Sequence, residues 1–152
     1  MNTNYLVTKR QIFLAVLVSL MTMTTHGADM DRLSDYQWQN RLILVQAASG
    51  GDDEIRTLRQ ARNEIDDRDT VWFVNTGSDL ISNQETVSSS LANDIKDLLE
   101  ESPSDNRVLL IGKDGGIKSR DPDLDLDAIF RRIDAMPMRI REMRSNRNSD
   151  SE

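Results

Sequence analysis

Four aspartates at alternate positions are the side chains in this sequence that most suggest a chemical role. They occupy one short acidic segment, at Asp121, Asp123, Asp125 and Asp127. Alternating carboxylates supply oxygen ligands in calcium-binding loops, which also require glycine at loop position six and glutamate at position twelve. Counted from Asp121, those positions hold Leu126 and Arg132, so the calcium-loop pattern is absent. We favour a strand exit that leads into a helix cap, with Leu124 and Leu126 entering the core. The four aspartates remain weak candidates for a metal-assisted, carboxylate-dependent hydrolase, which is the alternative.

A second candidate is the loop formed by Ser49, Gly50 and Gly51, which directly precedes a predicted helix. Glycine-rich loops at helix N-termini can bind anions through backbone N–H groups. Here the acidic residues 52–54 already place negative charge at that helix end, and neither a Walker nor a G-x-G-x-x-G pattern is present. We therefore interpret this segment as the capped start of a helix. Residues 49–51 are kept as a candidate partner-binding loop and not as a catalytic one.

The absence of thiols excludes several kinds of catalysis. The 152-residue chain contains no cysteine, and its single histidine is His26. Because His26 lies in a segment that we expect to be removed, the mature chain has no residue for a thiol nucleophile, a Ser-His-Asp triad or a typical zinc site. Ser49 likewise has no histidine to activate it. We predict no cofactor and favour a non-catalytic role.

Residues 1–28 have the features of a secretory signal peptide. Lys9 and Arg10 form a basic region, residues 12–20 are almost entirely apolar, and small residues precede a cleavage point after Ala28. We expect a secreted or periplasmic protein with no membrane span after cleavage. The alternative is a membrane anchor formed by the uncleaved segment, because its apolar run approaches the length that a span requires.

The charge distribution is acidic overall and basic near the C-terminus. The chain has 19 basic and 26 acidic residues, and removal of Lys9 and Arg10 leaves 17 basic residues and a net charge of −9. This excess of negative charge disfavours nucleic acid as a partner. Three arginines of a predicted amphipathic helix over residues 137–144 could instead bind an acidic envelope or extracellular partner: Arg139, Arg141 and Arg144. We expect them to remain outside while the apolar side chains of that helix face the core; the alternative is a solvated helix face without a partner.

The order of the predicted elements indicates an α/β domain. Residues 42–45, 71–74 and 108–111 are continuous apolar runs, typical of strands covered on both faces, whereas residues 117–120 form a polar edge strand after an Asp-Gly turn. Amphipathic helices separate the strands, and the segment 76–85 is interpreted as a polar loop. The resulting order is βαβαββα, that of the thioredoxin fold. We predict one domain over residues 33–136, with a four-stranded mixed sheet, its first strand in the interior, helices on both faces and a disordered tail over residues 145–152.

Two groups of aromatic and methionine residues are open to two interpretations. The first comprises Tyr36, Trp38 and Trp72, and the second comprises Met136, Met138 and Met143. Side chains of these types at helix and strand positions usually fill the core, and we favour that interpretation. An exposed patch that binds a partner is the alternative.

Three blocks of the sequence resemble the bacterial DUF4174 family. They are Tyr-Gln-Trp-Gln-Asn-Arg-Leu-Ile-Leu-Val at 36–45, Leu-Ile-Gly-Lys-Asp-Gly-Gly-Ile-Lys at 110–118 and Ile-Asp-Ala-Met-Pro-Met-Arg at 133–139. The resemblance covers about residues 33–143, and the Met-Pro-Met-Arg block is the most specific part of it. It implies a thioredoxin-like, peroxiredoxin-like domain, similar to domains of sushi-repeat and matrix-associated secreted proteins. It implies export and a fold, without a settled activity.

The chain departs from active thioredoxins at both halves of their thiol site. Residues 47–52, between the first strand and the first helix, contain no cysteine, and Asn106 and Arg107 stand where active members have a proline before the third strand. Thiol redox activity is therefore excluded. We predict an exported, non-catalytic, thioredoxin-like domain that binds a macromolecular partner; the alternative is the carboxylate-dependent hydrolase.

Overall fold

The computed structural model of the protein describes residues 30–149. The predicted signal peptide, residues 1–28, lies outside the described residues, as do the last three residues of the predicted tail. Among residues 30–149, no helix combines the length and the apolar content that a bilayer crossing needs.

A five-stranded mixed sheet forms the centre of the molecule. Its strands are β1 (Arg41–Gln46), β2 (Thr70–Asn75), β3 (Leu80–Ser82), β4 (Val108–Ile111) and β5 (Ile117–Asp121). The spatial order is β3-β2-β1-β4-β5. β1 pairs with β2 in parallel and with β4 antiparallel, β4 pairs antiparallel with β5, and β2 pairs antiparallel with β3. The interior position predicted for the first strand is confirmed.

The predicted number of four strands is wrong, because β3 adds a fifth at the edge of the sheet. β3 lies within the segment 76–85 that was interpreted as a loop. Leu80 and Ile81 pair with Asn75 and Val74 of β2. A three-residue strand is too short to display alternation, so the neighbouring strand determines its conformation.

Residues 30–149 form five helices. They are α1 (Asp52–Gln60), α2 (Arg62–Asp66), α3 (Ser89–Glu100), α4 (Leu126–Asp134) and α5 (Pro137–Ser149), and a 3-10 turn at Leu33–Tyr36 precedes β1. Polar side chains fix two helix starts, because Ser88 accepts a hydrogen bond from the Leu91 N–H and Asp125 accepts one from the Ala128 N–H. The single helix predicted after β1 is divided into α1 and α2 at Ala61, whose ψ of 23° departs from helical geometry.

Alternate residues of β1 pack into two cores on opposite faces of the sheet. Ile43 and Val45 contact the core that contains Leu58 of α1 and Ile129 of α4. Leu42 and Leu44 contact the other core, formed with α3. Because both faces are buried, each side chain of β1 from Leu42 to Val45 must be apolar, and this explains the continuous apolar run.

The last helix is longer than predicted. α5 continues to Ser149, so the disordered tail predicted from Ser145 is wrong for residues 145–149. No proline or glycine follows Pro137 in this segment, and the Arg147 Nε donates to the Met143 carbonyl at 3.2 Å, one turn earlier. The polar composition that suggested disorder is therefore compatible with a helix whose residues 144–148 are exposed.

Candidate functional site

The three blocks that carry the family resemblance meet at one end of the sheet. Arg41 at the start of β1, Gly112 in the β4–β5 turn and Met136 at the α4–α5 junction belong to different blocks. All three line one cavity of about 190 Å³, together with the side chains of Lys113, Asp114, Lys118, Pro137 and Met138. The strand pairing brings the blocks together, because β4 runs antiparallel to β1 and ends beside the start of β1.

Arg41 is the most deeply buried charged residue at this end, with 1 % of its surface exposed. Its Nη1 donates to the Arg68 carbonyl at 2.8 Å, and its Nη2 donates to Glu142 Oε2 at 3.0 Å. Its Nε has no hydrogen-bond partner within residues 30–149. A buried donor without an acceptor costs about 1–3 kcal/mol, which the other contacts of Arg41 must offset.

Glu142 joins two buried cations to α5. Its second carboxylate oxygen lies 2.9 Å from Lys113 Nζ, which is also 2.7 Å from Asp69 Oδ2. One acidic side chain of the last helix therefore holds both Arg41 of β1 and Lys113 of the β4–β5 turn. These contacts fix α5 against the end of the sheet.

Arg139 belongs to a second ion-pair cluster and is not on the solvent-exposed face where the sequence placed it. Only 4 % of its surface is exposed. Its Nε lies 3.3 Å from Asp134 Oδ1, its Nη1 donates to the Asp67 carbonyl at 2.6 Å, and its Nη2 contacts the Asp67 carboxylate. The prediction that Arg139 binds a partner is therefore wrong, because the protein itself satisfies its guanidinium.

The same cluster changes the titration of Asp134. Burial alone would raise the pKa of this carboxyl group. Arg68, whose Nη2 lies 2.7 Å from Asp134 Oδ2, and then Arg139 outweigh that effect, and together they hold the pKa of Asp134 below its ordinary value. The Arg68 guanidinium also stacks on Phe130, 4.6 Å from the ring centroid.

Trp38 is the one large apolar residue that is exposed among residues 30–149, with 64 % of its surface accessible. Its backbone φ is 67°, and its N–H donates to the Lys113 carbonyl at 2.5 Å. Trp38 lines an open groove of about 340 Å³ with Met138, Arg141 and Glu142. Met138 also lines the cavity beside Arg41, so the groove and the cavity are neighbours. We call this combined area, with Trp38, Lys118, Met136, Pro137, Met138 and Arg141 at its surface, the Trp38 surface.

The core interpretation of the aromatic and methionine groups holds for some members and fails for one. Tyr36 and Trp72 are buried. Met136, Met138 and Met143 are half-buried. Trp38 is exposed, so the core interpretation is wrong for this residue. Exposed tryptophan is uncommon and a positive φ at a bulky residue is rarer, and neither property follows from residue type or spacing.

The glycine loop and the exposed arginines do not form one site. Ser49 and Gly50 are exposed beyond the C-terminal end of β1. Arg141 and Arg144 are exposed on α5, the helix that Glu142 joins to Arg41 at the N-terminal end of β1. The six residues of β1 separate these ends by about 20 Å. Gly51 has a structural reason to be glycine, since its φ is 78° and a Cβ there would lie 3.1 Å from Val74 Cγ1.

The four aspartates have separate structural roles. Asp121 Oδ2 accepts from Ser119 Oγ at 2.7 Å and from Arg132 Nη1 at 3.0 Å, and Asp123 pairs with Arg107. Asp125 caps α4, and Asp127 lies in the first turn of that helix. Within residues 30–149, no three His, Cys, Asp or Glu side chains converge so as to hold a metal ion. The interpretation as a strand exit and helix cap, with Leu124 and Leu126 against the core, is confirmed.

A family model described as a domain of unknown function, DUF4174, matches residues 32–142. No match was found among curated proteins or among solved structures. The matched range contains all three blocks and every residue that lines the cavity beside Arg41.

Proposed function

The chain belongs to the DUF4174 family, and on this premise we propose that it is an exported, non-catalytic, thioredoxin-like domain that binds a macromolecular partner through the Trp38 surface. The partner is an envelope or extracellular macromolecule. The observation that carries the proposal is the exposed Trp38, held at positive φ beside a largely apolar cavity where the three family blocks meet.

The pairing of four strands supports the thioredoxin-like part of the proposal. β2, β1, β4 and β5 are neighbours in that order, with β1 and β2 parallel and the remaining pairs antiparallel. β3 extends the edge next to β2. At the carboxyl end of β1, where an active thioredoxin has its cysteine, residues 47–52 contain no sulfur.

The conformation of Trp38 supports binding rather than a structural role. A bulky side chain at positive φ costs of order 1–3 kcal/mol, and an exposed indole recovers little of that cost through burial. Tryptophan is enriched among the residues that dominate protein–protein binding energies. The indole stands beside the half-buried Met138 and the exposed Arg141, a combination typical of an interface centre.

Export rests on the composition of residues 1–28, and the acidic body favours a partner other than nucleic acid. The carboxylate-dependent hydrolase is the weaker alternative, because Asp121, Asp123 and Asp125 already have partners within the domain. Tight, stoichiometric binding of Ca²⁺ or Mg²⁺ in calorimetry would favour that alternative.

A cross-linking pull-down with matched variants tests the proposal. We expect the wild-type protein and Gln60→Ala, a change at an exposed position of α1, to recover the same partner from the envelope or secreted fraction. Trp38→Ala should weaken that association by about 30-fold or more, the effect of losing a central interface residue. Equal recovery by all three proteins would contradict the proposal.

A further inference from the structure

We propose that the Trp38 surface binds an acidic polypeptide segment in which a large apolar side chain adjoins two carboxylates. The apolar side chain packs on Trp38, and the carboxylates pair with Arg141 and Arg144. This inference rests on the proposed function, because it names the chemistry of the partner that the same surface recognises. It depends on which charges the domain leaves unpaired there, on the spacing of the two arginines and on the acidity of the rest of the molecule.

Arg141 is the one charged residue in the lining of the groove and the neighbouring cavity that forms no ion pair within residues 30–149. The other charged lining residues are paired inside the domain, through Glu142, Asp69 and Asp114. The Arg141 Nε donates to the Pro137 carbonyl at 3.3 Å, a neutral acceptor that leaves the positive charge uncompensated. This surface therefore attracts a further carboxylate.

Arg144 adds a second cation three residues further along α5. It is exposed and, like Arg141, has no acidic partner in the part of the chain that the structure describes. Side chains three residues apart are neighbours on a helix surface, with Cβ atoms about 5–6 Å apart. Alternate residues of an extended chain are about 6.5 Å apart, so carboxylates at such positions can each reach one guanidinium. Arginine–carboxylate pairs are often bidentate, which adds geometric selectivity.

The acidity of the rest of the molecule makes this attraction local. α5 contains four arginines and one glutamate, whereas the chain without Lys9 and Arg10 has a net charge of −9. A short acidic segment on α5 lies within the range of its arginines, because charges are screened beyond about 8 Å at physiological ionic strength. A flat anionic bilayer would also face the acidic body and be repelled by it. The charge distribution therefore favours a polypeptide segment over a lipid surface.

Trp38 and Met138 supply the apolar half of the site. They line the groove together with Arg141, and its volume is about 340 Å³. A cavity of about 150 Å³ is enough to bind benzene, so one aromatic side chain of the partner fits in the groove. Methionine adapts its shape to different ligands, and the indole offers a rigid apolar face. The apolar contact therefore supplies affinity, and the two arginines select acidic segments.

Three peptides test the recognition of charge in a titration followed by NMR of the Trp38 indole N–H. They are the N-acetylated, C-amidated hexapeptide Ser-Phe-Glu-Ser-Glu-Ser and its versions with two glutamines or two lysines in place of the glutamates. We expect the glutamate peptide to shift the Trp38 signal and to bind about five- to tenfold more tightly than the glutamine peptide, because two exposed ion pairs are lost. The lysine peptide should bind more weakly still. The Trp38→Phe variant identifies the signal, since Trp72 has the other indole.

A charge reversal on α5 provides a matched comparison. The double variant Arg141→Glu/Arg144→Glu should prefer the lysine peptide to the glutamate peptide, the reverse of wild type. Arg59→Glu/Arg62→Glu makes the same change of charge at two exposed arginines, also three residues apart, that line a separate cavity, and it should keep the wild-type preference. Replacing Arg141 or Arg144 alone leaves one cation in place and should reduce affinity only about threefold. Urea unfolding curves establish that the variants are folded.

Several results would overturn the inference. They are equal affinity for the glutamate and glutamine peptides, the same peptide preference in the two double variants, or no shift of the Trp38 signal at peptide concentrations up to about 10 mM. Sedimentation with vesicles of phosphatidylglycerol and phosphatidylcholine that required Arg141 and Arg144 would also overturn it, in favour of a lipid surface. If partner capture still depended on Trp38 in the first three cases, the proposed function would stand and the recognition of an acidic segment alone would be wrong.

Discussion

Replacing Arg139 with glutamine should lower the free energy of unfolding by about 1.5–3 kcal/mol, the usual contribution of hydrogen bonds to charged groups. Arg139 is nearly inaccessible to solvent and contacts both Asp134 and Asp67. Glutamine cannot provide the charge or the several donors of the guanidinium. The substitution would leave two carboxylates with reduced compensation and would free the Asp67 carbonyl that Arg139 Nη1 now binds.

Urea unfolding of the Arg139→Gln and Arg141→Gln variants provides a matched comparison on one helix. Arg141 is exposed, so its replacement should change stability by about 0.5 kcal/mol or less.

Because Arg139 contributes to the lowered pKa of Asp134, part of the difference in unfolding free energy between wild type and Arg139→Gln should depend on pH. A lowered pKa stabilises the folded state above the ordinary value of 3.8, and that contribution is lost as the pH falls through the folded pKa. The difference in unfolding free energy between wild type and Arg139→Gln should therefore become smaller as the pH is lowered. Small, equal and pH-independent effects of the two substitutions would show that Arg139 has no structural role.

Removing residues 137–152 should cost more than about 4 kcal/mol and lower the melting temperature by roughly 15 °C. This deletion removes Arg139 and also Glu142, which neutralises both Arg41 and Lys113. Arg41 would then be a buried cation without a carboxylate partner. We therefore regard α5 as an integral part of the domain rather than an appended helix.

A shorter deletion serves as the control. Removal of residues 145–152 leaves Arg139 and Glu142 in place and eliminates only the end of α5, where residues 144–148 are exposed. Its effect on the free energy of unfolding should be about 1 kcal/mol or less. Thermal unfolding measured by circular dichroism distinguishes the two truncations. If the longer deletion were as mild as the shorter one, the ion pairs of α5 would not stabilise the domain.

Most of the fold could be predicted because burial leaves a local pattern in the sequence. Residues 42–45 are continuously apolar since β1 is central and covered on both faces, and that pattern indicated its interior position. β3 could not be predicted, because only its pairing with β2 makes its three residues a strand. Secondary structure that depends on a neighbouring strand has no periodic signal of its own.

The candidate site could be predicted only in part. The three sequence blocks were visible, but their convergence depends on the pairing of β1 with β4 and on the position of α5. Arg139 was misplaced because its partner Asp67 is 72 residues away in the sequence, so helical spacing alone put it on the solvent side. Trp38 was assigned to the core because tryptophan is usually buried, whereas a backbone turn at positive φ places it outside.

The central claim is that this protein binds its partner at the Trp38 end of the sheet and not at the glycine loop at the opposite end. Photo-cross-linking tests the claim most directly, with a photoreactive amino acid introduced at position 141, beside Trp38, in one variant and at position 49 in another. Both positions are exposed, so each reports the contacts of its own end. We expect a partner adduct from position 141 and none from position 49. An adduct from position 49 with none from position 141 would contradict the proposal.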